Sequence, residues 1–350
     1  MAKRTTIADV ALAAGVSMAT VSKAVNNRYG VRAETAQRVR SIATDLGYES
    51  SLVASSMRST RTGVLGVLVP AFEPFSAEVL KGAGVALKSS DYDLLAYTPS
   101  DRDDRLGWEQ RSLSRLSGTL IDGAILVTPT VVDIRSDIPV VAIDPHTGPV
   151  GLPSVESDSL TGASLAVRHL IELGHRSIGF LTGRADLRSS MLREAGYRRA
   201  LAEASIAFDR RLVRVGGYEP EIARDPATEL LCEPNRPTAV FAANDLSAIS
   251  VVEVAQELGL RVPEDLSVVG FDDIPEAARL DPPLTTVQQS LNQMGATGMA
   301  ILLELLAGRT PRHTRVVLPT RLLVRGTSGP PPRTVTPVVR PQPEQNPTAS

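Results

Sequence analysis

The chain reads as a small all-α headpiece built on a helix-turn-helix, followed by an α/β core of two doubly wound parallel-sheet lobes. Three observations carry that expectation. Amphipathic helical stripes fill residues 6–47, short β-rich runs alternate with helices from Gly63 onward, and that alternation restarts near residue 159 to give two sets of similar size.

In the headpiece, Ile7, Val10, Ala11 and Ala14 recur at i, i+3, i+4 and i+7, after Thr6, a good N-cap residue, and before Gly15. On a second helix of about 100° per residue, Met18, Ala19, Ser22, Lys23 and Asn26 share one arc of roughly 140°, opposite Val21, Ala24 and Val25. Ser17 is placed to cap this helix, and the glycine-containing turn Ala-Gly-Val is that of a helix-turn-helix. A third stripe, Ala36, Val39, Ala43 and Leu46, ends at Gly47. Geometry alone also fits an ordinary helical hairpin with a solvated face, and charge separates the two readings. Residues 1–62 hold nine Lys/Arg against four Asp/Glu, a net of +5, whereas the whole chain is −2, which leaves −7 on the rest. A basic headpiece on an acidic body is an electrostatic footprint for phosphate.

In the core, "VLGVLV" (64–69), "YDLLAY" (92–97), "GAILV" (123–127) and "VVAI" (140–143) read as buried parallel strands, with helices near 75–89 and 105–117. The second set has strands "SIGFL" (177–181), "TAVFA" (238–242) and "LSVVGF" (266–271), with helices over 159–173, 190–204, 219–231 and 245–258. Ligands bind beyond the carboxyl ends of such strands, so two lobes define a cleft. The proline-rich residues 329–350 read as a disordered tail.

Composition narrows the function classes. A length of 350 residues with 43% hydrophobic content suits a headpiece plus one large or two medium domains. The single Cys232 excludes an internal disulfide framework and reads as a small buried hydrophobe. No apolar run reaches the ~20 residues of a membrane span, and the start lacks a signal-peptide apolar region, so a cytoplasmic protein with no membrane partner is expected. Phosphate-binding, dinucleotide, zinc-protease and nucleophile-elbow motifs are all missing, and the four histidines lack metal spacing. His175, in a helix-to-strand turn, reads as structural. Asp272-Asp273 after "VVGF" suits either paired-carboxylate chemistry or acceptance of ligand hydroxyls. With no nucleophile nearby in sequence, binding is the better reading, with no enzyme activity, cofactor or metal site.

The motifs "TIADVALAAGVSMATVSKAVNN", "VLGVLVP", "HLIELGHRSIGFLTG", "REAGYRRAL", "TAVFAANDLSAI", "LGLRVPEDLSVVGFDDI" and "PPLTTVQQ", in that order over residues 5–327, resemble the LacI family of bacterial repressors. The resemblance implies a headpiece (1–50), a hinge helix (51–61), a periplasmic-binding-protein-like core (62–328) and a tail (329–350). By the same resemblance Met18, Ala19 and Lys23 read base edges, while Ser17, Thr20, Ser22 and Asn26 hold phosphates, in agreement with the helical arc. Ile7, Tyr48, Ala54 and Met57 complete the DNA-binding set, with Met57 a wedge for the minor groove. This chain departs from the family pattern at Ser50-Ser51, at Lys23 in place of the commoner arginine, and at Arg32 in place of a helix cap. In the core the resemblance assigns Phe72, Phe75, Asp144, Arg193, Tyr218, Asn244, Asp272 and Gln289 to effector contacts. It implies a homodimer on a pseudo-palindromic double-stranded DNA operator, repressing carbohydrate-utilisation genes under control of a small sugar. A purine or nucleoside effector is the alternative, and a non-regulatory sugar-binding protein the alternative of a different class.

Overall fold

The computed structural model describes residues 5–25, 29–48, 61–99, 107–131, 133–146, 151–335 and 338. They form a helical N-terminal unit and a larger two-lobed unit.

In the N-terminal unit, α1 (Ile7–Ala14) opens on a capping box between Thr6 and Asp9 and ends at Gly15, whose φ of +63° suits glycine. Before α2 (Met18–Val25), Ser17 Oγ accepts from the Thr20 amide at 3.2 Å, so the expected cap is present. At the start of α3 (Ala33–Asp45), Arg32 offers no side-chain cap. Val10, Val21 and Val39, all 0% exposed, centre the small core. Leu46, expected in the third buried stripe, is instead 40% exposed, because the helix ends at Asp45 and the chain turns there.

The first lobe carries β1 (Val64–Leu68), α4 (Pro74–Leu87), β2 (Asp93–Tyr97), α5 (Trp108–Leu116), β3 (Gly123–Val127), β4 (Val140–Ile143) and β5 (Ser154–Ser157). The chain then enters the second lobe: α6 (Ser159–Glu172), β6 (Ile178–Thr182), α7 (Arg188–Glu203), β7 (Val213–Val215), α8 (Pro220–Leu231), β8 (Ala239–Ala242), α9 (Asp245–Glu257), β9 (Ser267–Asp272) and β10 (Thr285–Gln288). It returns to the first lobe for α10 (Leu291–Leu306) and β11 (Arg315–Leu318), and crosses again to β12 (Arg321–Leu323). The first sheet, ordered β11-β5-β4-β3-β1-β2, is parallel throughout. The second, β12-β10-β9-β8-β6-β7, is parallel except where β12 pairs with β10.

Both doubly wound lobes are therefore present, with several refinements. The strand at "YDLLAY", expected to be buried, is an edge strand with Asp93, Leu94 and Ala96 exposed. β5, β7, β10, β11, β12 and α10 complete the sheets beyond the elements read from the sequence. Cys232 is half-buried rather than buried. The tail boundary at 328 also needs moving. His175 Nε2 donates to the Gly329 carbonyl at 2.9 Å, and Val338 packs on the second lobe's core, so the start of the proline-rich segment is part of the fold. His175 itself is 0% exposed between Thr238 and Ser267, a structural residue as expected.

All three crossovers lie close together. Asp158 donates its amide to Leu318 O at 3.0 Å and accepts from Thr320 Oγ1 at 3.2 Å, while Ser157 Oγ reaches Met294 Sδ at 3.4 Å. Behind them α4 and α10 touch backbone to backbone. A Cβ on Gly82 would stand 1.9 Å from Asn292 O, and one on Gly295 2.0 Å from Val79 O. Replacing Gly295 with Val should prise these helices apart and cost about 1–3 kcal/mol of stability, read as a lower urea midpoint. An unchanged midpoint would show that the helices part freely.

Candidate functional site

Two faces carry the residues singled out above. On α2, Met18 is 56% exposed and Ala19 and Lys23 stand in solvent beside it, while Thr20 and Ser22 are half-buried. Ser17 is exposed, with its Oγ 2.9 Å from Thr20 Oγ1. Ile7 and Tyr48 pack against the headpiece core. Asn26, Ala54 and Met57, and with them the hinge up to residue 60, lie outside the described residues. Two headpiece arginines have local work: Arg38 Nη2 donates to Ala14 O at 3.3 Å and Arg40 Nη1 to Ala24 O at 3.2 Å, capping the carboxyl ends of α1 and α2. Part of the basic excess thus holds the headpiece together.

The second face is the seam between the two lobes, at the carboxyl ends of their strands. Arg193, on α7, is 3% exposed. Its guanidinium carbon lies 3.9 Å above the Phe271 ring and 5.5 Å from the Tyr218 ring, and Nη1 is 3.7 Å from Asp272 Oδ1. Nη1 also donates to Ala243 O, and Nε to Ser159 Oγ at 3.4 Å. Asp272 closes β9, and its Oδ1 accepts from Gln289 Nε2 at 2.6 Å. Gln289, 3% exposed in the crossover after β10, keeps Oε1 without a partner among the described residues. Burial, with Glu73 and Asp144 adding repulsion, pushes the Asp272 carboxyl up to about 7 against the pull of Arg193.

Tyr218 can lie flat here because Gly183 has no Cβ, which would stand 2.2 Å from the ring. Its hydroxyl is 3.1 Å from Ser189 Oγ, and its carbonyl accepts from Asn244 Nδ2 at 3.0 Å. Asn244 Oδ1 meanwhile caps α9 through the Ser247 amide at 3.1 Å, so both ends of this amide position neighbours. From the first lobe, Asp144 stands at the end of β4, and His146 accepts the Arg188 amide of α7 at its carbonyl, 2.7 Å away. Arg188 also pairs with Glu156 of β5 at 2.6 Å, and Arg315 joins them at 2.9 Å. Asp144, Tyr218, Asp272 and Asp273 all hold positive φ (47°, 72°, 124° and 60°), a concentration of backbone strain at one site.

Of the expected contacts, then, Asp144, Arg193, Tyr218, Asp272 and Gln289 are brought together, with Asn244 as their support. Phe75 differs: it is 9% exposed and belongs to the first lobe's core, so its ring is not free to stack on a ligand. Phe72 is 59% exposed. Sequence reasoning passed over Glu73, which caps α4, and Phe271, which carries Arg193. Phe271 was hidden inside a strand run, but an aromatic immediately before the Asp272-Asp273 pair was a usable signal. Also missed was Asp245, 0% exposed, whose Oδ2 accepts the Ile274 amide at 2.9 Å while Oδ1 accepts from Thr286.

Residues 6–51 match the family model for bacterial regulatory proteins of the lacI family, and residues 167–328 that for a periplasmic binding protein-like domain. The HTH-type transcriptional repressor PurR of Haemophilus influenzae is 32% identical over 332 residues, spanning 91% of this chain and 97% of that protein. The chain belongs to the LacI family. Among solved structures, the transcriptional regulator CelR in complex with cellobiose is 31% identical, covering 93% of this chain and 100% of that one with a TM-score of 0.68. The Lac repressor dimer bound to operator and the anti-inducer ONPF is 27% identical, with the same coverage of each chain and a TM-score of 0.76. As a LacI-family member the chain is a DNA-binding regulator with a ligand-binding core, not an enzyme, and no described helix is long and apolar enough to cross a membrane.

A carboxyl whose pKa rises on folding binds its proton more tightly in the folded chain. Asp272 therefore favours folding most below its ordinary value of 3.8, and that advantage is lost as pH climbs toward about 7. The Tm should fall between pH 5 and pH 8, and Asp272→Asn should flatten that fall. Parallel profiles for the two proteins would show that Asp272 keeps an ordinary pKa.

Proposed function

We propose that this chain is a cytoplasmic, homodimeric repressor that binds a pseudo-palindromic operator through its headpiece and is controlled by a sugar held at the seam of its core. The observation that carries the effector assignment is the buried Arg193–Asp272 pair beside Gln289 Oε1, which has no hydrogen-bond partner among the described residues, with the buried Asp144 carboxyl at the end of β4 as a further acceptor. Acceptors in surplus suit a ligand rich in hydroxyl donors. The two aromatic rings beside the pair, Tyr218 and Phe271, already face Arg193, so these two do not form an open pair that could clasp a purine. The relatedness to PurR keeps a purine as the second reading. For the headpiece, the exposed arc of Met18, Ala19 and Lys23 is proposed to meet base edges, with Ser17, Thr20 and Ser22 on phosphates. Asn26, Ala54 and Met57 are assigned to DNA on sequence grounds alone.

Titration of the full chain with a sugar panel and a purine panel tests the effector. Heat from sugars is expected, and Arg193→Ala should cost ~2 kcal/mol or more of their affinity, with operator binding retained. Heat from guanine or hypoxanthine alone would overturn the sugar reading.

On DNA, Met18→Ala should change base preference at one or two positions per half-site by about 1–3 kcal/mol and leave the salt slope unchanged. Equal weakening on every sequence in a binding-site selection would remove Met18 from base readout.

A further inference from the structure

The body of the chain is acidic, yet between Glu304 and Glu344 the sequence holds seven arginines and no Asp or Glu. Three of the seven serve the fold. Arg325 pairs with Asp273 at 2.6 Å, Arg321 donates to Gln288 Oε1 at 2.7 Å, and Arg315 pairs with Glu156 at 2.9 Å while keeping 48% of its side chain in solvent. Arg309 and Arg312 are of another kind: with His313 they stand exposed in the loop between α10 and β11.

That loop is held in shape. α10 ends in a Schellman turn, in which Gly308 takes a φ of +71° and the Arg309 amide donates back to Glu304 O at 3.0 Å. Pro311 is buried, and Thr314 O accepts the Ser154 amide at 2.8 Å, which ties the far end of the loop to the start of β5. Side chains on such a frame lose less freedom on meeting a partner than side chains on a slack segment.

Topology sets where the loop stands. All six strands of the first sheet are parallel, so their amino ends share one edge, away from the seam. A Cβ on Gly123 would stand 3.0 Å from Leu302 Cδ1, which puts the last turns of α10 at the head of β3. Residues 61–63, the tether of the DNA-binding headpiece, lead into β1 on this same edge, where the Asp122 amide donates to Val64 O at 2.8 Å. Four strand spacings, about 19 Å, separate β1 from β11. Charge along the edge is uneven: Asp122 and Asp137 precede β3 and β4, whereas the loop before β11 carries cations alone.

Duplex DNA presents about one negative charge per 1.7 Å of its axis, and the headpiece tether keeps bound DNA within reach of this edge. We propose that the α10–β11 loop is a second DNA contact, made by the core, in which Arg309 and Arg312 with His313 beside them hold backbone phosphates outside the stretch read by α2. Contact with phosphate adds affinity without sequence preference. The inference rests on DNA binding by the headpiece and extends it to the core.

The test compares the full chain with an Arg309→Gln/Arg312→Gln variant on two duplexes, of about 60 and about 20 base pairs, the shorter spanning little more than two half-sites one helical turn apart. Both are centred on the sequence recovered by binding-site selection, or are of random sequence where selection recovers none. The variant should bind the long duplex about tenfold or more weakly at 0.1 M salt, with a salt slope shallower by about 1 for each phosphate freed, and should bind the short duplex as the parent does. Arg176→Gln/Arg333→Gln, which removes the same charge from exposed positions on the second lobe, should leave both unchanged. Unaltered binding of the long duplex by the loop variant overturns the proposal and leaves the loop to an acidic protein surface. Equal losses on both duplexes, or a matching loss in the second-lobe variant, overturn it in favour of net charge. A lowered Tm with DNA binding intact overturns it too and assigns Arg309 to the carboxyl end of α10. Failure of the parent chain to bind either duplex removes the headpiece reading along with the proposal.

Discussion

A guanidinium at 3% exposure, as in Arg193, would be costly to bury without compensation, and the core around it supplies several compensations at once. The Phe271 face lies beneath it, the Asp272 carboxylate beside it, and the Ala243 carbonyl and Ser159 hydroxyl accept from it. Each compensating group sits at the end of a strand or the start of a helix in the second lobe. That placement explains why the lobe is so closely fixed there. Gly183 must be bare for Tyr218 to lie against the site, and Gly270 must be bare because a Cβ would stand 2.3 Å from Asp245 Oδ1.

Strain and electrostatics point to the same place. Asp tolerates a left-handed backbone better than most residues, which makes Asp144, Asp272 and Asp273 comparatively cheap at positive φ, whereas Tyr218 at +72° is not. Asn244 holds the Tyr218 carbonyl in that conformation while its other end starts α9. The strained tyrosine and the helix start are therefore secured by one amide group.

Much of this was legible in the sequence. Buried runs such as "GAILV" and "VVAI" announce central parallel strands because both faces are covered, and the headpiece helices announce themselves by period and caps. What escaped had physical reasons. "SVES" at β5 is polar, and β7 and β12 are three residues each, too short for a pattern. "YDLLAY" looks central by composition, but its place at the sheet edge is set by topology, which local pattern does not encode. Phe75 was assigned by position to the ligand, yet the turn of α4 sends it into the core. Glu73 was passed over because a glutamate before Pro74 looks like an ordinary surface charge, and only the fold shows that it caps α4 and that its charge bears on Asp272.

The three crossovers have a mechanical meaning. Bodies joined at one point can swivel in any direction, but here the links at residues 157–159, 289–290 and 319–320 are gathered together, Asp158 holding Leu318 and Thr320 and Ser157 reaching Met294. Beside them Glu156 of the first lobe takes Arg188 of the second and Arg315 as a bolt across the seam. Three gathered links and a bolt resist a twist of one lobe against the other as a single strand of chain could not.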